Sequence, residues 1–117
     1  MKNRPFHRRL HFALHGILST WRTETSFRTQ CGLAVGAILF LVWKRPGSIW
    51  CALFALSIGG VLAAELFNTA LEKVVDHLHP EVHPAIGLAK DCAAGAVFIC
   101  SLTSLAVFFT LLKEILN

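Results

Sequence analysis

Charge is what this sequence has least of. Its 117 residues hold 11 Lys and Arg and 7 Asp and Glu, so 15% of the chain is charged, and mean hydropathy is +0.59. A soluble domain carries about 25% charged residues, and a small one has a large surface to cover relative to its volume. So few charges exclude an ordinary water-soluble globule and a disordered chain. Other signals are absent too. There is no Walker A loop and no dinucleotide-binding glycine fingerprint. Cys31, Cys51, Cys92 and Cys100 match no zinc or redox spacing, which argues against a secreted disulfide scaffold and fits small apolar filler in a reducing setting.

The missing charges are missing in blocks. Fifteen uncharged residues separate Arg28 from Lys44, 19 separate Arg45 from Glu65, and 21 separate Asp91 from Lys113. A helix needs roughly 20 apolar residues to cross a bilayer, and only self-satisfied backbones such as helices can do so. The pattern predicts three transmembrane helices, over 27–43, 48–66 and 92–112. Phe27 extends the short first block, and Arg28 can snorkel to the interface. The Lys44-Arg45-Pro46-Gly47-Ser48 turn, flanked by Trp43 and Trp50, fits a headgroup boundary. Residues 67–91 then form a helix extension and connector.

Before the first block, Phe6, Leu10, Ala13, Leu14, Ile17, Leu18 and Trp21 recur at spacings of three and four, with Arg8, Arg9, His11, His15 and Arg22 opposite. This predicts a basic amphipathic helix within 1–26, suited to an inner membrane surface or to the protein's own bundle. His11 and His15 interrupt any apolar run there, so no cleavable signal peptide is expected. Eight Lys and Arg fall on the N-terminal and second-connector side against three on the other. Both segments should therefore be cytoplasmic. Gly32 and Gly36 form a GxxxG pair, and Gly59-Gly60 and 93–96 add further small surfaces, so self-association is expected.

The seven acids are the informative minority. Glu65, Asn68, Glu72 and Asp76 fall within an arc of roughly 80° on a helix turning about 100° per residue. Acids stacked on one face repel unless a cation or a basic side chain joins them. Glu65 also closes an apolar block, where an ionisable group is a functional candidate. The structural alternative is a helix emerging into water, its acids paired to Arg28 or Lys90. Lys90-Asp91 precedes the third block and Glu24 the first, so these groups should gather at one membrane level. Carboxylates hold Mg²⁺, a lysine attracts phosphate, and a carboxylate at the lipid boundary can take a hydroxyl proton. The set suits phosphoryl transfer to a lipid alcohol. His77, His79 and His83 cluster in the connector at a spacing weak for a zinc site, and solvated histidines explain them as well.

Two stretches carry a resemblance. Ala64-Glu65-Leu66-Phe67-Asn68-Thr69-Ala70-Leu71-Glu72-Lys73-Val74-Val75-Asp76 and Ala89-Lys90-Asp91-Cys92-Ala93-Ala94-Gly95-Ala96-Val97 strongly resemble the prokaryotic diacylglycerol kinase family, which includes the undecaprenol kinases. Trp21, Glu24, Phe27 and Arg28 also resemble it, and the likeness runs over about residues 8–112. The resemblance implies an all-α membrane kinase, a homotrimer in the bacterial cytoplasmic (inner) membrane, with active sites shared between subunits. It implies Glu65 as general base and Asn68 as the group orienting the reactants. Glu24 and Glu72 would bind Mg²⁺ with ATP. Asp76, Glu81, His83, Lys90 and Asp91 would lie along the nucleotide, and Trp21 and Arg28 beside the lipid. The chain has no tyrosine, and Phe12 stands where some diacylglycerol kinases carry one in the surface helix. Arg8 and Arg9 do not align cleanly with the family's nucleotide-contacting arginine.

Diacylglycerol is the expected substrate, with undecaprenol the alternative and no nucleic-acid partner. A competing class is a small proton-coupled transporter built on Glu65. Such proteins usually need a fourth span and a glutamate near the midplane, whereas here three spans place Glu65 at an edge.

Overall fold

The computed structural model describes residues 2–117. They form four helices: α1 Phe6–Thr23, α2 Thr25–Lys44, α3 Ser48–Leu78 and α4 Pro84–Leu116. No strand occurs among the described residues. Helices α2, α3 and α4 are long and apolar enough to cross a membrane. At about 1.5 Å rise per residue, α3 and α4 are each nearly 50 Å long. Both outrun a hydrocarbon core of about 30 Å, so their ends project beyond it. The non-helical part of the α3–α4 connector shrinks to residues 79–83, and the helix that carries the 92–112 block already starts at Pro84.

The interior is thin. Phe27, Phe54, Val61 and Leu111 are its buried hydrophobic residues, while Leu33, Leu39, Leu56, Phe98 and Ile99 are each more than 60% exposed. In water such exposure would be costly; against lipid tails or another apolar surface it is not. Helix α3 packs mainly on α4 and also on α2, and α1 touches both α2 and α3. A hydroxyl helps hold the α3–α4 seam, where Ser104 Oγ donates to the Ser57 carbonyl at 3.2 Å. Rings tie α2 to α4 one helical turn further on, with Phe40 and Phe108 5.4 Å apart.

Three short breaks set the geometry. At the first, a single extended residue, Glu24 (φ −115°, ψ 111°), separates α1 from α2. The second is the 45–47 turn. Arg45 takes a left-handed conformation (φ 48°) and donates its N–H to Leu41, and Gly47 adopts φ 113°, ψ 167°. Only glycine is at ease there. At the third, His83 Nδ1 accepts the Ala85 N–H at 3.1 Å and Pro84 begins α4. Proline suits a first helical turn because its missing N–H would lack a partner anyway.

Gly47→Ala is expected to cost about 1–3 kcal/mol, although nothing lies within 4 Å of the added Cβ. Unfolding in detergent micelles should show the loss, and an unchanged midpoint would refute a conformational role for this glycine.

Candidate active site

The site grows out of one face of α3. Phe54, Val61, Glu65 and Thr69 are the buried residues of that helix, and they recur at spacings of seven, four and four. Such spacing lays them along one seam. The seam changes character partway. It is apolar through Val61 and polar from Glu65 onward, then continues into Asn68, Glu72 and Asp76. Glu65 is only 4% exposed and Thr69 5%.

A carboxylate so enclosed needs a donor. Ser26, in the first turn of α2, supplies one: its Oγ donates to Glu65 Oε2 at 3.1 Å, across 39 residues of sequence. The positive end of the α2 dipole lies there as well, which suits a negative charge. Glu24 stands two residues before Ser26 at the elbow, half-buried, and its side chain makes no capping bond to α2. Glu24 thus stands two residues from the serine that bonds Glu65.

Farther along, Asn68 Nδ2 approaches Glu72 Oε1 at 3.5 Å, a long contact. Asn68 Oδ1 is buried with no partner, and a buried polar atom left unpaired marks a place where another group belongs. Asp76 accepts from the Lys90 ammonium, joining the end of α3 to the start of α4. That hydrogen bond raises the Lys90 pKa above its ordinary 10.5, with the Asp76 and Glu72 charges adding to the rise and partial desolvation opposing it. Being raised, the Lys90 ammonium contributes its full stabilisation just below pH 10.5, and that contribution is lost as pH climbs through the folded-state value.

The remaining site residues lie elsewhere. Asp91 is exposed. Glu81 faces His79, with 3.5 Å between Oε2 and Nδ1, and His83 caps α4. Both are occupied within the connector. Among the described residues no three His, Cys, Asp or Glu side chains converge as a metal site would require. His77, His79 and His83 therefore form no cage.

Arg28 pairs with no acid here. Its Nη1 donates to the carbonyls of Trp21 (2.7 Å) and Arg22 (3.2 Å), and its Nη2 to Thr25 Oγ1 (3.1 Å). It clasps the last turn of α1, whose carbonyls have no helical partners. Lys90, not Arg28, is the countercharge of the acidic face. The Trp21 ring is 44% exposed. Ser26 was missed from the sequence because an isolated serine beside an elbow carries no signal of a partner on another helix.

On the other side of Glu65 an apolar groove of about 580 Å³ opens between α2, α3 and α4. It runs from Phe40 and Phe108 to Gln30 and Val61, and Val61 is one helical turn from Glu65. Glu65 does not line the groove, but along α3 it falls between Val61 at the groove's end and the acids that follow.

Together these features define an integral-membrane helical protein with an acidic site at the edge of its apolar region. Comparison with known sequences makes the class specific: residues 11–112 match the prokaryotic diacylglycerol kinase family. A Haemophilus influenzae diacylglycerol kinase is 38% identical over 88 residues, covering 75% of each chain. A Bacillus subtilis undecaprenol kinase is 39% identical over 104 residues, 87% of this chain and 82% of its own. An Escherichia coli diacylglycerol kinase is 29% identical over 101 residues, 86% of this chain and 83% of its own. The chain belongs to the prokaryotic diacylglycerol kinase family, and so to the lipid kinases. The transporter reading of Glu65 falls with that membership.

Arg28→Ala should free the end of α1. Amide exchange over residues 21–25 is expected to rise about fivefold, the equivalent of roughly 1 kcal/mol from hydrogen bonds at a partly exposed site. Unchanged exchange there would refute the clasp.

Proposed function

We propose that this protein transfers the γ-phosphoryl group of ATP, with Mg²⁺, to the hydroxyl of a membrane lipid, and that the lipid is diacylglycerol, yielding phosphatidic acid. The observation that carries this reading is the position of Glu65. It is a buried carboxylate at the junction of groove and acids, in a chain whose residues 11–112 match a lipid kinase family. A lipid alcohol needs both neighbours, an apolar place for its tails and a polar one for its hydroxyl.

In this reading Glu65 takes the hydroxyl proton while the lipid oxygen attacks the γ-phosphorus. A new P–O bond forms. The bond to the bridging oxygen breaks, and its electron pair leaves on ADP. Glu24 and Glu72 hold Mg²⁺; they are hard oxygen donors, and two carboxylates completed by phosphate oxygens and water are the usual supply for this ion. When bound, the ion neutralises phosphate charge. The long Asn68–Glu72 contact and the unpartnered Asn68 Oδ1 fit such a site, since both leave oxygen capacity open. Asn68 orients the reacting groups. Lys90 exchanges Asp76 for phosphate as nucleotide binds, and Asp76, Glu81, His83 and Asp91 flank the nucleotide. Trp21 faces lipid, and Arg28 contributes by holding the elbow on which Glu24 stands.

The protein works as a homotrimer in the bacterial inner membrane, its N-terminus in the cytoplasm. Supporting this are the sparse interior, the exposed apolar faces and the eight-to-three bias of Lys and Arg. Helix α1 lies on the membrane surface. Its apolar residues Phe6, Leu10, Leu14 and Ile17 stay exposed in the protomer, so the bundle does not cover them.

The Bacillus subtilis relative favours a second reading, undecaprenol as acceptor. Purified protein given labelled ATP and both lipids side by side decides between them: label is expected mainly in phosphatidic acid, and transfer to undecaprenol alone would reverse the assignment. Glu65→Gln should lower turnover by at least about a hundredfold while ATP still binds. Glu72→Gln should raise the Mg²⁺ concentration needed for half-maximal rate. An active Glu65→Gln variant would remove Glu65 as base, and an unchanged Mg²⁺ requirement would remove Glu72 as a ligand.

A further inference from the structure

We propose that Ser26 is a positioning residue for the base, holding Oε2 of Glu65 so that Oε1 is the oxygen that receives the lipid proton. This rests on the reading of Glu65 as base.

The bond itself is the first ground: Ser26 Oγ donates to Glu65 Oε2 at 3.1 Å. The second is that it departs from the pattern of the threonines in this chain and, like the bond of Ser104, crosses between helices. Thr20, Thr23, Thr29, Thr103 and Thr110 each donate to the carbonyl four residues back. That is the usual retreat of a helical hydroxyl. For Ser26 the carbonyl four back is that of Arg22. It lies beyond the break at Glu24, in another helix, and it accepts from Arg28. The break and the clasp together deny Ser26 its local partner, and the hydroxyl reaches across to α3.

Glutamate has three side-chain torsions and two equivalent oxygens. One fixed oxygen selects a rotamer and distinguishes the other. At 4% exposure there is little water to compete for the carboxylate, so one protein donor has a large effect on where the base points. Proton transfer requires the base within hydrogen-bond reach of the hydroxyl, and small misplacements are costly in rate. Ser26 need not touch the substrate to matter; it acts through Glu65.

The test is kinetic and spectroscopic, on the full chain in lipid–detergent micelles. Ser26→Ala is expected to lower kcat about tenfold while the KM values for Mg·ATP and diacylglycerol stay within about twofold. Ser26→Thr keeps the hydroxyl and should restore at least about half of the parent kcat. Glu65 carboxylate bands, identified by infrared difference against Glu65→Gln, should shift in Ser26→Ala and return in Ser26→Thr. The proposal is overturned if Ser26→Ala keeps full kcat, if only the KM values change, if Ser26→Thr is as slow as Ser26→Ala, or if the bands do not move. Failure of the base reading looks different: Glu65→Gln itself would then turn over normally.

Discussion

Everything near the site follows from one enclosed carboxylate at the end of an apolar run. Glu65 sits where α3 passes from hydrophobic seam to acidic face, almost closed to solvent. A charge in that position is tolerable only with a donor beside it, and the donor comes from the first turn of α2. The break at Glu24 puts Ser26 at the start of a helix, and the carbonyl four residues back lies in α1, where it accepts from Arg28. Arg28 clasps the last turn of α1 at that break, so a basic residue that the resemblance set beside the lipid also works on backbone carbonyls.

The same economy governs the rest of the acidic face. Asp76 is paired to Lys90, which links two long helices across a connector with only five non-helical residues. Glu72 has one weak contact, and a buried oxygen of Asn68 has none. In a finished structural network these groups would be satisfied. They stay open beside a paired lysine and a hydrogen-bonded carboxylate, and the proposed reading draws on that open capacity. The protomer brings no three such ligands together among its described residues.

The thin interior belongs to the same picture. With four buried hydrophobic residues among those described, the protomer does not draw its stability from a core of the kind that water drives together. A seam hydroxyl and a tilted ring pair link the helices, and the exposed apolar faces suit an apolar surrounding. Such packing leaves a groove between α2, α3 and α4 that a tighter bundle would close.

The sequence by itself determined the kind of protein and its family. Uncharged blocks of about 20 residues measure the bilayer directly, and helical periodicity aligned Glu65 with Glu72 and Asp76, because both are local properties. The stretches around Glu65 and Lys90-Asp91 carried the family likeness. Tertiary structure alone decided what each charge touches. Ser26 and Glu65 are 39 residues apart, and Asp76 and Lys90 are 14. No periodicity links such pairs; the angle at the elbow and the docking of α3 on α2 and α4 do. For that reason the sequence did not show that Arg28 holds backbone carbonyls, nor that Ser26, which carries no motif, donates to Glu65.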